Sequence, residues 1–319
     1  MRRRRAGGTA TGLTLWGGTL SGLALVGLVA AGCSGTPAAR SGSSAGGAEV
    51  TATFSAVETA ASTVELTDDA TVLTARLHAL GDAGAFAAVR GRAIVVLGTT
   101  HLPAPVDDLS ATGLFQVRPA LCESGPYKPA ASTAVAAPLP SGCSSERYSL
   151  LTPNLTVDDS TGSSNLGSIP PDPVLASYPS SSAAYDDSHP QSPVLVPDLN
   201  DSGVRYLLGP TVLNETAVAK ARATFENPAW IVDATFTGAG AVQWDTVARK
   251  YFHELIGIDV DAQALSVPLT QPAQSTFTSF DGRVQISGNF SRSSAEQLAA
   301  VLESGPLATP LQVGPTNSS

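Results

Sequence analysis

Proline is concentrated in the middle of this 319-residue chain, where eight prolines lie between positions 153 and 197 among many Ser, Asp and Gly residues. Each proline lacks a backbone donor and has a fixed φ, so this stretch is unsuited to a long helix or a central strand. Periodic apolar patterns lie on both sides of it. We therefore expect two folded units joined by a Pro/Ser-rich linker or insertion over residues 122–203.

The unit before this stretch, residues 49–121, predicts a compact α+β fold. Small and apolar residues alternate with Thr and Ser over 50–56, which is typical of a strand. Leu73 and Leu77 share one face of a helix that we expect to begin at Asp69. The element order is βαββαβ, the order of a ferredoxin-like fold. The other predicted elements are a hairpin around 90–92, a short helix over 107–112 and a strand over 114–118.

The unit after this stretch, residues 204–310, also predicts antiparallel α+β structure. A hairpin turn at 227–228 precedes a strand in which alternate residues over 230–236 are apolar. Apolar residues then recur at helical spacing over 244–255. A capping box at Ser293 begins a last helix. The remaining expectations are strands near 204–208, 264–269 and 283–287, and a disordered tail over 311–319.

The N-terminus has the pattern of an export signal. Four arginines precede an apolar stretch over 13–31, and small residues follow up to Cys33. This pattern is typical of a bacterial lipobox, although Ala30 stands where Leu is commoner. We expect a signal peptide over 1–32, lipidation of Cys33 and a flexible tether over 33–48, with the protein lipid-anchored on the extracytoplasmic face of the cell membrane. An ordinary signal peptide or an uncleaved anchor helix is the alternative.

The charge balance disfavours nucleic acid as a partner. Without Arg2 to Arg5, 14 basic residues remain against 27 acidic ones, a net charge of −13. A chain this acidic has no general attraction for phosphate backbones.

The cysteine count predicts one disulfide. Beyond Cys33 the chain has two thiols, Cys122 and Cys143, an even number that suits an oxidising compartment. Their spacing fits no zinc pattern, so we expect a structural disulfide rather than a metal site.

No catalytic or metal-binding motif in the sequence is complete. His253 and Glu254 begin a zinc-protease pattern, but Gly257 occupies the position of the second histidine. Asp259 and Asp261 lack the further oxygen ligands that calcium needs, and we expect them on a solvated strand edge. The sequence therefore predicts a protein that is not an enzyme and that has no cofactor or metal.

The second unit resembles a known family. The segments 205–210, 233–236 and 282–290, with the closing helix, are similar to the head subdomain of the extracytoplasmic domain of SecD, a subunit of the protein-export translocase. Residues 49–121 are similar, more weakly, to the base of that domain. The resemblance implies an α+β fold of two ferredoxin-like or antiparallel units, base-like and head-like, joined by the insertion.

The resemblance implies a non-enzymatic role in protein export. In the family, head and base bind a preprotein leaving the channel, and proton flow through membrane helices drives their movement. This sequence ends at residue 319, where the family continues into membrane helices. We therefore expect binding of unfolded secretory polypeptides or translocase subunits without proton-driven pulling, at residues that the resemblance does not assign. The alternatives are an envelope scaffold unrelated to export and a surface hydrolase.

Overall fold

The computed structural model describes residues 50–57, 61–98, 102–129, 138–143, 157–158, 163–164, 172–271 and 274–314. The predicted signal peptide, the tether and Cys33 lie outside these residues. Within them the chain forms a base sheet, a central sheet, a head sheet and one two-stranded ribbon.

The predicted α+β class is confirmed, and every pair between the named strands is antiparallel. The strands of the described residues are β1 (Val50–Ala56), β2 (Phe86–Arg90), β3 (Ala93–Leu97), β4 (Phe115–Ser124), β5 (Val157–Asp158), β6 (Ser163–Ser164), β7 (Val194–Pro197), β8 (Arg205–Leu208), β9 (Leu213–Asn214), β10 (Val218–Glu226), β11 (Ala229–Phe236), β12 (Ile256–Val260), β13 (Gln263–Ser266), β14 (Arg283–Phe290) and β15 (Leu311–Val313). The helices are α1 (Thr63–Ala79), α2 (Val106–Leu109), α3 (Ala183–Ser188), α4 (Gly238–Lys250) and α5 (Arg292–Ser304).

The base-like unit is a four-stranded sheet with strand order β15-β1-β3-β2, against which helix α1 packs. The predicted hairpin of β2 and β3 is confirmed. Helix α1 begins at Thr63 rather than at the predicted Asp69. The Ser62 hydroxyl accepts from the Glu65 N–H, and the Glu65 carboxylate accepts from the Ser62 N–H, so a capping box starts the helix earlier.

A central sheet joins the base to the head. Its strand order is β13-β12-β4-β8-β7, with β9 also paired to β4. The sequence placed β4 in the base sheet and ended it at Arg118, and both predictions are wrong. The strand runs on to Ser124 because it is buried on both faces. Phe115 and Val117 enter the head core, while Arg118 points to the opposite side.

Part of the proline-rich segment is built into this central sheet. We call residues 172–197 the strap. Its strand β7 pairs with β8, and Val194, Leu195 and Val196 are fully buried. Helix α3, capped by Ser182, lies earlier in the strap. The strap is therefore an insertion whose strand β7 belongs to the interior, while other parts of it, such as residues 187–191, are exposed.

The head-like unit is a three-stranded sheet, β10-β11-β14, packed against helices α4 and α5. The predicted hairpin turn at 227–228 is confirmed, since Glu226 pairs with Ala229. Helix α5 is capped by Ser291 rather than by the predicted Ser293. Trp244 of α4 lies in the core of this unit.

The last described strand returns to the base. Strand β15 pairs with β1, with Phe54 opposite Val313. Residues 311–313 therefore do not belong to the disordered tail that the sequence predicted over 311–319. The physical reason is apolar burial, because Leu311 lies in the base core.

Candidate functional site

The outer edge of the head sheet is open. Strand β10 is nine residues long, and in the described part of the chain no strand pairs with its outer side. Most of its side chains are exposed or half-buried, and the charged residues Lys220 and Arg222 lie along it. Charged side chains of this kind hinder unwanted edge-to-edge pairing without removing the free backbone groups. We call the outer side of β10 the head edge.

An aromatic patch lies at the hairpin end of the head edge. Phe225 is 52% exposed, and its ring centroid is 5.4 Å from that of Trp230. Phe290 on β14 is the strand partner of Trp230, and the Arg292 guanidinium lies 5.7 Å from the Trp230 ring centroid. We call Phe225, Trp230 and Phe290 the head rim. It offers apolar surface beside a free row of backbone donors and acceptors.

A second concave surface lies in the base, between α1 and the edge strand β2. This base groove has a volume of about 490 Å³ and is lined by small and uncharged side chains, with His78 at one end. The Thr74 hydroxyl accepts from the Ala87 N–H at 2.9 Å, and His78 Nε2 lies 2.9 Å from the Ala85 carbonyl oxygen. Side chains of α1 thus already bond to one backbone group of β2 and to one just before it, which leaves the head edge the freer of the two.

Arg76 fixes the base to the head. Its side chain is 1% exposed, and all five of its guanidinium N–H groups are used. The acceptors are the Ser304 hydroxyl and the Gly305 carbonyl at the end of α5, and three carbonyl oxygens over 109–112. Burial lowers the pKa of Arg76 to about 10, against the opposing effect of Asp261 and Asp69. The guanidinium therefore stays charged at neutral pH.

A buried charge cluster lies beneath the strap. Arg118 of β4, Asp186 of α3 and Asp259 of β12 are all fully buried. The sequence prediction that Asp259 lies on a solvated edge is therefore wrong. The edge strand of this sheet is β13, and the strap covers the face that carries Asp259. Burial, and next the nearby Asp186, raise the pKa of Asp259 well above its usual range.

The predicted site residues are scattered. The structure joins Cys122 of β4 to Cys143, with Cα atoms 5.8 Å apart, and formation of this disulfide in the cell stays a prediction. His253 Nε2 lies 2.7 Å from the Gln274 carbonyl oxygen. Across the described ranges, no three His, Cys, Asp or Glu side chains are grouped so that they could hold a metal ion. None of the helices described here has the length and apolar character to span a bilayer.

These features define an antiparallel α+β protein with a base-like and a head-like unit. Residues 193–309 match the family model of the SecDF P1 head subdomain, so the resemblance of the second unit to the SecD head is confirmed.

Curated relatives agree with this match. The protein translocase subunit SecD of Magnetococcus marinus is 32% identical over 113 residues, which cover 33% of this chain and 21% of the relative. The protein translocase subunit SecDF of Thermus thermophilus is 33% identical over 109 residues, covering 33% of this chain and 14% of the relative. The match thus spans about a fifth or less of the length of each relative.

The likeness of fold extends beyond the head. A crystal structure of SecDF in a super-membrane-facing form superposes with a TM-score of 0.50 at 18% identity, covering 83% of this chain and 29% of the other. This coverage is larger than residues 193–309 alone. The base-like unit and the central sheet therefore share in the similarity of fold.

Proposed function

We propose that this protein is a non-enzymatic, lipid-anchored binding protein of the extracytoplasmic face, which holds secreted polypeptides near the export translocase. The observation that carries the proposal is the match of residues 193–309 to the SecDF P1 head subdomain, in a chain whose head edge is open. Lipidation of Cys33 would keep the binding surface close to the membrane.

An extended polypeptide is the ligand that the head edge suits. In a hairpin with a two-residue turn, alternate residues direct their N–H and C=O groups away from the partner strand. From the pairing of Glu226 with Ala229, the outward residues of β10 include Ala223 and Phe225. An added strand can bond to these groups whatever its sequence, while the head rim packs against its apolar side chains. Such binding is broad in specificity, as a holding function requires.

The matched pair Phe225→Ala and Phe86→Ala tests where the ligand binds. Phe225 is 52% exposed at the head edge, and Phe86 is 44% exposed on the base edge strand β2, outside the lining of the base groove. With a fluorescent extended peptide and the full chain, we expect Phe225→Ala to weaken binding about tenfold, as loss of a largely buried aromatic contact should. Phe86→Ala should bind as the wild type does.

The opposite order of effects would move the site to the base edge strand β2. If neither variant changes binding, the head edge is not the site, and a preference for folded over unfolded proteins would favour the scaffold alternative. Crosslinking in intact cells gives a separate test of the export role, because translocase subunits should be recovered with the protein.

A further inference from the structure

In the buried charge cluster, Arg118 contacts Asp186 more closely than it contacts Asp259. Arg118 Nη2 bonds directly to Asp186 Oδ1, and Arg118 Nη1 donates to the carbonyl oxygens of Ser192 at 3.0 Å and Gly209 at 2.7 Å. Asp259 is more distant, with its Oδ1 3.9 Å from Arg118 Nε. Arg118 thus holds the strap through Asp186 and Ser192, and its attraction for Asp259 is weaker.

The cluster carries more negative than positive charge when both acids are ionised. Within the described residues, Arg118 supplies the one positive charge among the titratable groups that act on Asp259. Two carboxylates and one guanidinium would leave a net charge of −1 where every side chain is fully buried. An uncompensated buried charge is costly, and a protein interior avoids it by retaining a proton.

The hydrogen-bond inventory indicates where such a proton lies. As carboxylates, both oxygens of Asp259 and the Oδ2 atom of Asp186 have no donor among the described groups. Asp186 and Asp259 nevertheless lie at neighbouring nitrogens of one guanidinium, Asp186 at Arg118 Nη2 and Asp259 facing Nε, so the two acids are close to each other. A single proton turns one acid into a donor toward the other, which satisfies an oxygen of each and removes the excess charge.

We propose that Asp186 and Asp259 share one buried proton at neutral pH, and that this proton fastens the strap to the central sheet. When the proton leaves to solvent, two carboxylates face each other across one guanidinium, and helix α3 loosens from β12. The inference is independent of the proposed function, because the cluster lies away from the head edge.

The other acidic groups around the cluster also favour retention of the proton. Asp261, in the turn after β12, faces Asp259 and adds negative charge, although it also accepts from the N–H groups of Gly113 and Leu114, both at 2.9 Å. Asp187 of α3 acts in turn on Glu215, whose pKa is raised first by its own burial. Arg76 of α1 acts on Asp261 and partly offsets its charge, but it is not among the groups that act on Asp259. Within the described residues, Arg118 therefore remains the one positive charge that acts on Asp259.

The sign of the pH dependence follows from proton linkage. The folded chain keeps the proton above pH 4, where an unfolded aspartic acid, with a pKa of about 3.9, has lost it. The folded state therefore binds more protons, and the folding equilibrium constant falls by up to about tenfold for each unit of rising pH. This contribution is fully present at acidic pH and is lost as pH rises toward the pKa of the buried pair.

Denaturant unfolding of the full chain between pH 5 and 9 measures this linked proton. We expect the wild type to release about one proton on unfolding from this site. Both Asp259→Asn and Asp186→Asn should abolish the release, because either change leaves one acid neutralised by Arg118. Asp245→Asn is the control, since the Asp245 carboxylate already accepts from Ser279 and Phe280. It should retain the wild-type proton release.

The Asp186→Asn variant distinguishes a proton shared by the two acids from a proton that Asp259 keeps only because it is buried. If Asp259 holds a proton only because it is buried, the release will persist in Asp186→Asn, and the proposal is wrong. Infrared spectroscopy of the wild type at neutral pH tests for the proton directly, so it does not depend on whether a variant folds. A protonated-carboxyl C=O band should be present and should disappear at alkaline pH, whereas its absence at neutral pH would overturn the proposal.

Discussion

Arg76 shows how a single side chain can connect two units at the residue scale. Its guanidinium reaches five acceptors that belong to α5, to the end of α2 and to the loop before β4. Only arginine presents five donors in one rigid plane, so lysine could not replace it. The base and the head are thereby held by hydrogen bonds as well as by apolar packing.

We predict that Arg76→Met lowers the free energy of unfolding by about 3 kcal/mol or more, because it leaves several buried acceptors without donors. The matched control is Arg292→Met. Arg292 has a 72% exposed side chain that pairs with Glu296, and its loss should leave the free energy of unfolding nearly unchanged. Urea unfolding of both variants measures the difference. Equal effects would mean that the Arg76 contacts do not connect the two units.

Residue-scale chemistry was only partly predictable from the sequence. The zinc-protease pattern at His253 could be seen to be incomplete from spacing alone, because Gly257 occupies the position of the second histidine. Asp259 could not be interpreted correctly, because its partners Arg118 and Asp186 lie on strands and helices far away in the chain. No local pattern distinguishes a buried acid from a solvated one.

At the scale of elements, helix α4 packs unusually close to the chain that precedes β10. A Cβ atom on Gly240 would lie 2.6 Å from the Ala217 carbonyl oxygen and 2.8 Å from the Ala217 Cβ. Thr237 caps the same helix, with its hydroxyl accepting from the Gly240 N–H at 3.0 Å. The glycine is therefore required by a close approach of backbones.

We predict that Gly240→Ala destabilises the head by about 1–3 kcal/mol, the usual cost of overpacking. Gly238→Ala, in the same first turn, meets no atom within 4 Å and should be neutral or slightly stabilising. Thermal unfolding followed by circular dichroism measures both. A neutral Gly240→Ala would show that α4 can shift away from Ala217 without cost.

Elements with local signals were predicted well, and elements whose place depends on distant partners were not. The hairpins at 90–92 and 227–228 have short turns between runs of strand-forming residues, and both are confirmed. The residues of β12 were expected only as a solvated strand edge around Asp259, and β4 was placed in the wrong sheet. These two strands pair with each other, Ile256 opposite Pro119, and neither half of that pairing is visible in its own sequence. The head edge, too, could be recognised only from the strand order of the head sheet.

At the scale of the whole molecule, the base is discontinuous in sequence. Its sheet contains β1 from one end of the described chain and β15 from the other, with the central sheet and the head between them. The buried Asp69 of α1 accepts from the Ala308 N–H at 2.5 Å and from the Thr309 hydroxyl at 2.6 Å. The chain is thus fixed where it leaves the head and re-enters the base.

We predict that a chain ending after Pro310 is less stable than one ending after Gly314. The shorter chain loses Leu311 from the base core and uncovers one edge of β1, which should cost about 2 kcal/mol or more. The longer chain keeps β15 and the Gly314 N–H that donates to the Thr53 carbonyl at 2.7 Å, so it should match the full chain. Equal unfolding midpoints for the two truncations would show that β15 is dispensable.

The pairing of Phe54 with Val313 also determines the order in which parts of the chain can fold during synthesis. A polypeptide leaves the ribosome amino end first, so one side of β1 stays uncovered until residues 311–313 have been made. The head can close earlier, because its hairpin partners are neighbours in sequence. A segment that docks beside β1 in the interval must be displaced when β15 arrives, so closure of the base sheet follows closure of the head.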